Sequence, residues 1–239
     1  MRGTEFSIRS AIHTDSLLER GASAVTVSDN TRETISTTRS LHLVNATVVR
    51  LDKIYTRSGD GGETGIGDGT RVSKLDARIV AGGSVDELNC LLGVVAASSP
   101  GTELAELTFT LQNLLFDLGA DISCPLPSNE DEDRCPRIAD SSVKWIETEI
   151  DQANEKLSPL TSFVLPGGSP TAAHLHLARA VCRRAEVDVL RLAEATSLNP
   201  QVCVFVNRLS DLLFVLARQA NNNGSNDVLW VPGREPGPG

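Results

Sequence analysis

The chain has 239 residues and a formal net charge of −9, with a pI of about 5.0, so it suits one acidic domain. This charge argues against a general nucleic-acid binder, which needs a basic surface. Hydrophobic residues make up 40% and aromatic residues only 4% of the sequence, a composition that favours packed helices over a β-sandwich. No uninterrupted apolar run approaches the roughly 18 residues of a membrane span, and we expect no membrane association.

The first 46 residues are rich in Ser, Thr and Arg and show no sustained apolar period. Acidic residues are interspersed among them, which argues against an organellar transit peptide, and the apolar core of a secretory signal is missing. We expect a disordered extension over 1–46, a helical-bundle domain over 47–232 and a loose tail over 233–239. The polar composition after Asn221 indicates a chain that is already loose from there.

The segment IYTRSGDGGETGIGDGT, residues 54–70, is rich in glycine. Glycines allow backbone N–H groups to converge on an anion, and the Thr and Ser hydroxyls add donors. The segment lacks the closing Gly-Lys-Ser/Thr of a P-loop and the strand–helix setting of a dinucleotide-binding fingerprint. Two interpretations stay open, a phosphate-binding segment, which we favour, and a plain flexible loop.

Apolar residues recur at steps of three and four from Ala77 onward, which predicts helices. Ser169-Pro170 and Asn199-Pro200 each place a capping side chain before a proline at the first helical position. Asp140 resembles a further N-cap. Five helices with short connections predict an all-α, antiparallel five-helix bundle with ferritin-like up-down packing, preceded by the Gly-rich segment. The predicted helices are 77 to about 98, 104 to about 124, from 140 onward, 170 to about 195, and 200 to about 220.

Polar residues interrupt three of these helices at helical spacing, so that each set shares one face. They are either solvated faces with ion pairs or a polar seam inside the bundle. The fifth helix is apolar over most of its circumference, which favours a buried and paired seam there. For Arg184, Asp188 and Arg191 we favour solvated ion pairs. The sets are Asp86 and Asn89; Arg179, Arg183 and Glu186; and Asn207, Asp211 and Arg218.

The five cysteines are widely spaced, and no Cys-x-x-Cys pair occurs. His174 and His176 are two residues apart, so on a helix they point to different faces and cannot chelate a metal together. We therefore expect neither a disulfide framework nor a structural zinc site, and we expect reduced, mostly buried thiols.

Five segments and one lysine, in order, resemble the PduO-type ATP:cob(I)alamin adenosyltransferases, a family that includes the human mitochondrial enzyme. They are KIYTRSGDGG, Lys74, GSVDELN, TSFVLPGG, RAVCRRAE and FVNRLSDLLFVLAR, and the match runs from about Lys53 to Trp230. The resemblance implies a homotrimer of five-helix bundles with active sites between subunits. It also implies transfer of the 5′-deoxyadenosyl group of ATP to the cobalt of cob(I)alamin, giving adenosylcobalamin and triphosphate.

By position, the resemblance implies an ATP site, a catalytic set and a residue facing the corrin. The catalytic set is Arg183 together with Asp86 and Arg179, which would pair across the subunit boundary. Phe163 would face the corrin, although the residues alone also allow a hydrophobic staple before the fourth helix. No side chain is assigned to a metal, and Mg²⁺ is expected to be held mainly by the ATP phosphates. The implied ATP ligands are Thr56, Arg57, Ser58, Gly59, Thr64, Gly65, Lys74, Arg183, Arg184, Glu186 and Asn207.

The sequence departs from the family at Gly61, where many members have Lys, and at Val187, where Arg is frequent. Fewer cations near the phosphates would weaken ATP binding rather than change the reaction. The resemblance also implies a cob(II)alamin reductase and an adenosylcobalamin-dependent enzyme as partners, in the cytoplasm, or in the mitochondrial matrix of a eukaryote. The alternatives are another ATP-dependent small-molecule transferase or kinase, and a non-catalytic cobalamin-binding bundle.

Overall fold

The computed structural model describes residues 54–127 and 135–235. The predicted extension over 1–46 lies outside these ranges, so its disorder stays a prediction. The chain divides into two units, of which the first contributes only residues 54–57 to the described part and the second begins at Ser58.

Five helices make up most of the second unit, with bounds close to those predicted: α1 Ala77–Ala97, α2 Glu103–Ser123, α3 Asp140–Asn154, α4 Pro170–Ala195 and α5 Pro200–Ala220. Helix α1 packs against α2 and α4, and α5 packs against α4 and α3. Hydrogen bonds join Asn199 to the Ile138 carbonyl and Arg208 to Glu147, so α3 and α5 run in the same direction. Consecutive helices alternate in direction, which confirms the predicted up-down helical bundle.

The interior of the bundle is built mainly from aliphatic side chains. Phe205, Leu209 and Leu212 of α5 are fully buried, and each contributes roughly 1.5–3 kcal/mol relative to an exposed side chain. Within the described ranges, α1 and α5 are long and apolar enough to cross a membrane by length and composition alone. The sequence did not indicate this property, because polar residues interrupt the apolar runs of both helices. Both helices pack against neighbouring helices, as core helices do.

Two of the predicted helix starts are confirmed and one is wrong. The side-chain oxygens of Ser169 and Asn199 accept hydrogen bonds from backbone N–H groups in the first turns of α4 and α5. The N-cap of α3 is instead Ala139, which makes no side-chain cap. Asp140 lies one residue further along, inside the first turn, where it pairs with Lys144 at 2.5 Å.

The Gly-rich segment contains an antiparallel hairpin of β1 (Glu63–Gly65) and β2 (Arg71–Ser73). Gly69 in the connecting turn has a φ of 85°, which a residue with a Cβ rarely adopts. The N–H of Thr70 donates to the Asp68 carboxylate at 2.8 Å, and this bond lowers the pKa of Asp68. The segment therefore has a defined backbone, although the helical fold class stands.

Cys124 and Cys135 form a disulfide, so the expectation of reduced thiols is wrong for this pair. Arg137 donates to the Asp121 carboxylate at 2.9 Å and to the carbonyls of Cys124 and Pro125. These bonds fold the following chain back against the end of α2, which brings the two sulfurs together. The free cysteines of the described chain are Cys90, which is exposed, Cys182, which is buried, and Cys203, which is half-buried.

The chain directly after α5, residues 221–230, is packed rather than loose, contrary to the sequence expectation, whereas the loose tail predicted over 233–239 lies partly outside the described residues and stays a prediction. Arg218 and Asp227 form an ion pair at 2.8 Å with side chains only 7% and 2% exposed. Val164 and Leu229 form an antiparallel bridge that joins this segment to the chain before α4. Arg218 is therefore buried and paired, as expected for the polar set of α5, and its partner lies in the C-terminal segment, which it anchors.

Candidate functional site

A chain of polar contacts between partly exposed side chains joins α3, α4 and α5. The side-chain amide of Asn207 donates to Glu186 at 2.9 Å, and Arg208 donates to the amide oxygen of Asn207 at 2.8 Å. Arg208 also pairs with Glu147 at 2.9 Å. The structure thus brings together Glu186 and Asn207, two residues implied at the ATP site. Arg208 was missed, although its position directly after Asn207 could have drawn attention to it.

Arg183 lies almost one helical turn before Glu186 and is exposed. Within residues 54–127 and 135–235 no hydrogen bond or ion pair engages its guanidinium. The neighbouring Cys182 is buried, and its thiol points to the Val206 carbonyl at 3.4 Å. Burial and the Glu186 carboxylate raise the pKa of the Cys182 thiol, so this cysteine stays protonated and is a poor nucleophile. The chemistry available here is therefore anion binding by Arg183.

Arg184 is exposed and forms an ion pair with Glu87 of α1. This contact agrees with the solvated ion pair favoured from the sequence. Asp188 departs from that interpretation, because it is buried and accepts a hydrogen bond from Ser84 of α1 at 2.6 Å. Arg191 completes this cluster with an ion pair to Asp188 at 2.9 Å. Asp188 therefore fixes α4 against α1, while Arg184 stays accessible.

Asp86 and Asn89 do not belong to one polar seam. Asn89 is buried against α2, where it exchanges hydrogen bonds with Gln112 at 3.2 and 3.1 Å. Asp86 is exposed, and no partner for its carboxylate lies in the described part of the chain. The Nε of Arg179 is buried without a hydrogen-bond partner among the same residues. Neither member of the implied inter-subunit pair therefore has a hydrogen-bond or ion-pair partner among residues 54–127 and 135–235.

His176, considered from the sequence only as a possible metal ligand, is a buried polar residue. It is 2% exposed, and neither ring nitrogen has a partner among the described residues. Its ring lies 6.2 Å from that of Phe214. Burial and the neighbouring Arg179 lower the pKa of His176. His176 could have been identified from the sequence by its spacing of three residues from Arg179, which puts both side chains on one face of α4.

The hairpin segment positions the remaining implied phosphate ligands. Thr64 and Gly65 lie in β1, and Lys74 follows β2, with its N–H bonded to the Gly62 carbonyl at 2.8 Å. Gly62 in turn donates to the carbonyl of Gly59 at 3.1 Å, which closes a tight turn. The Ser58 carbonyl accepts from Arg71 at 2.7 Å.

Thr56 and Arg57 belong to the first unit, and both are exposed. Arg57 has a φ of 63°, and its guanidinium lies 5.7 Å from the centre of the Tyr55 ring.

The hairpin and the start of α1 are fixed to the end of α2. The N–H of Gly67 donates to the Ser123 carbonyl at 3.2 Å, and a Cβ at Gly67 would overlap the sulfur of Cys124. Arg78 is buried and donates to the Ile122 carbonyl at 2.6 Å and to Thr196 at 3.1 Å. Gly67 and Arg78 were not predicted as functional, because their partners are distant in sequence.

Phe163 lies before α4 and is 77% exposed. Its ring centre is 6.0 Å from that of Trp230, and the N–H of Trp230 donates to the Phe163 carbonyl at 2.7 Å. A hydrophobic staple would bury this ring, so that alternative is wrong. Trp230 was missed as a site residue, although it is one of only two tryptophans in the sequence.

Comparisons with known proteins identify the family of this chain. The cobalamin adenosyltransferase family model matches residues 54–220. A corrinoid adenosyltransferase of Mycobacterium tuberculosis (strain ATCC 25618 / H37Rv) is 46% identical over 188 residues, which cover 77% of this chain and 96% of the relative. A corrinoid adenosyltransferase of Bacillus subtilis is 38% identical over 182 residues, or 74% and 91% of the two chains.

Solved structures give the same result. A phenylalanine-to-alanine variant of a PduO-type ATP:corrinoid adenosyltransferase from Lactobacillus reuteri, complexed with cobalamin and ATP, aligns with a TM-score of 0.69 at 34% identity. The alignment covers 74% of this chain and 99% of that one. An arginine-to-lysine variant of the enzyme from the same organism, complexed with ATP, aligns with a TM-score of 0.68 at 35% identity. That alignment covers 74% of this chain and 100% of the other. The chain therefore belongs to the family of PduO-type ATP:corrinoid adenosyltransferases, as the sequence resemblance implied.

Proposed function

We propose that the protein transfers the 5′-deoxyadenosyl group of ATP to the cobalt of cob(I)alamin. A cobalt–carbon bond forms at C5′, the C5′–oxygen bond breaks, and its electron pair leaves on triphosphate. The observation that carries this proposal is the set formed by Glu186, Asn207 and Arg183 on α4 and α5. Glu186 and Asn207 are bonded to each other, whereas the exposed Arg183 guanidinium points out beside them with no partner in the described chain. Such a cation suits a polyphosphate.

Because Co(I) is itself the nucleophile, the protein needs no nucleophilic side chain. Its tasks are to align the ribose carbon with cobalt and to stabilise the charge that builds up on the leaving triphosphate. Arg183 is suited to the second task. The hairpin residues Thr64, Gly65 and Lys74, together with Thr56, Arg57, Ser58 and Gly59, would hold the phosphates. Arg184 would be a further cation at the rim of this site.

Magnesium is expected to accompany ATP in this reaction. Mg²⁺ is usually held by one or two carboxylates together with substrate phosphates. No group of three or more His, Cys, Asp or Glu side chains suited to a metal occurs within the described ranges. We expect an ion bound mainly by the ATP phosphates, whose charge it would help to neutralise. Glu186 is the one carboxylate among the proposed ATP ligands.

Phe163 would face the corrin. An aromatic ring that is 77% exposed offers apolar contact and no charge, so it would act on the cobalt environment rather than on ATP. By crowding one cobalt face it would exclude an axial ligand and make Co(II) easier to reduce.

Assembly as a homotrimer would complete the site, with Asp86 of one subunit pairing with Arg179 of the next. A cob(II)alamin reductase and an adenosylcobalamin-dependent enzyme are the expected partners, in the cytoplasm. Support for the trimer comes from the exposed Asp86 carboxylate and the buried, unpartnered Nε of Arg179.

Anaerobic absorption spectroscopy tests the proposed reaction. Cob(I)alamin mixed with the protein and ATP should convert to the adenosylcobalamin spectrum, whereas omission of ATP should leave it unchanged. Persistence of the cob(I)alamin spectrum with stoichiometric protein and ATP would contradict the proposal.

A further inference from the structure

Two exposed aromatic side chains lie side by side at the end of the bundle where α4 begins and α5 ends. Phe163 is 77% exposed and Trp230 is 45% exposed. Their ring centres are 6.0 Å apart, and the planes are inclined by 58°. The two rings therefore form a corner rather than a flat stack. A corner of this kind can contact both the face and the rim of one large ligand.

We propose that Trp230 is a positioning residue for the corrin substrate, forming with Phe163 the apolar wall against which the macrocycle docks. This inference rests on the proposed adenosyl transfer and adds a second aromatic residue to that site. Corrin is a broad, largely apolar ring, and indole provides a large rigid contact area with few rotatable bonds. Similar structures from Lactobacillus reuteri are complexed with cobalamin and ATP.

Hydrogen bonds pair the backbone around Trp230 with the chain around Phe163 on both sides of the ring pair. The Trp230 N–H donates to the Phe163 carbonyl at 2.7 Å, and the Leu165 N–H donates to the Val228 carbonyl at 2.8 Å. The Ser162 hydroxyl donates to the Trp230 carbonyl at 2.8 Å. These three hydrogen bonds hold the backbone of Trp230 beside that of Phe163, so the two side chains start from neighbouring, paired positions.

A buried polar cluster also anchors the chain segment that carries Trp230. Asp227 accepts from Arg218 at 2.8 Å and from Asn221 at 3.1 Å. Asn221 is buried, and it also bonds to the Gly167 carbonyl and to the Ser169 N–H. The chain before α4 and the chain after α5 are thus held by one cluster, which is pre-organisation suited to a binding wall.

Exposed apolar side chains continue the wall on both paired segments. Leu165 and Val228 lie two residues from Phe163 and Trp230, so they share the same face of the pairing, and they are 43% and 55% exposed. A contiguous apolar patch of this kind marks a binding surface more often than a bare surface. Continuity with Phe163, the residue proposed to face the corrin, favours the macrocycle over a second protein chain as the occupant.

The test compares Trp230→Ala and Trp230→Phe with Val231→Ala, a neighbouring exposed residue that takes no part in the ring pair. Each protein is titrated with cob(II)alamin in the presence of ATP, and separately with ATP alone. Trp230→Ala should weaken cob(II)alamin binding about tenfold. It should also lower the intensity of the spectral signal of four-coordinate Co(II), the form without an axial ligand. It should leave ATP affinity within about twofold of the unmodified protein, while Trp230→Phe should recover most of the loss.

Several outcomes would overturn the inference. One is that Trp230→Ala binds cob(II)alamin as tightly as the unmodified protein and gives the same Co(II) spectrum. Another is that Val231→Ala weakens binding as much as Trp230→Ala does. A third is that Trp230→Ala no longer forms trimers but keeps its corrin affinity per site. That result would show that the aromatic pair forms a subunit contact instead of a corrin site. Failure of the unmodified protein to make adenosylcobalamin would instead count against the proposed function, so the two failures are distinguishable.

Discussion

Arg183 is the residue at which the proposed chemistry depends most on a single side chain. Its guanidinium is exposed and would meet triphosphate as the bond to the ribose carbon breaks. Loss of a charge-assisted hydrogen bond removes roughly 1.5–3 kcal/mol, so Arg183→Ala should lower turnover about ten- to hundredfold. Steady-state kinetics with cob(I)alamin would measure this. Arg191→Ala on the same helix, which removes an exposed partner of Asp188, is the control and should retain turnover.

His176 should make stability depend on pH. Burial and Arg179 lower its pKa in the folded state, while Asp227 acts in the opposite sense. The unfolded chain therefore binds the proton more readily, and stability is lost as the pH falls below about 6.5. His176→Leu should flatten the dependence of the unfolding free energy between about pH 7 and 5. Denaturant unfolding of both proteins measures the difference, and parallel curves would show that His176 does not contribute.

Among the elements, the β1–β2 hairpin has a defined contact with the end of α2. A Cβ at Gly67 would overlap the Cys124 sulfur, so Gly67→Ala should displace the hairpin. The expected result is a several-fold increase in KM for ATP with a smaller change in kcat, because phosphate binding suffers more than the chemical step. Gly61→Ala is a matched control, since nothing lies within 4 Å of its Cβ. Equal effects of the two substitutions would contradict this contact.

The helices could be predicted because their signals are local. Ser169-Pro170 and Asn199-Pro200 specify helix starts within a few residues, and the apolar spacing identifies the buried faces. The disulfide and the packed C-terminal segment could not be predicted in the same way. They depend on Arg137 meeting the end of α2 and on Arg218 meeting Asp227, and neither meeting follows from a periodic pattern.

The site residues divide in the same way, between those with local sequence signals and those that depend on distant contacts. Glu186 and Asn207 were expected together, and they are bonded in the structure. Trp230 and Arg78 act through partners more than 40 residues away in sequence, at Phe163 and Ile122. The sequence therefore predicted helical stripes well and contacts between distant loops poorly.

At the scale of the whole molecule, we propose that three copies of the chain assemble to complete the site. Arg179 has a buried Nε without a partner in the described chain, and Asp86 of a neighbouring subunit would satisfy it. Removing one member of a desolvated pair costs roughly 3–5 kcal/mol, so Arg179→Ala should weaken assembly and lower activity together. Analytical ultracentrifugation over a range of concentrations would show this. A stable trimer of unchanged affinity, or a fully active monomer of the unmodified protein, would contradict the pairing.

The central claim is that ATP is cleaved at its C5′–oxygen bond, with the adenosyl group transferred to cobalt. Phosphorus NMR of an anaerobic reaction, with adenosylcobalamin measured in the same sample, tests this claim most directly. We predict one triphosphate for each adenosylcobalamin formed, with no ADP. Production of ADP, or triphosphate release without a matching amount of adenosylcobalamin, would contradict the account.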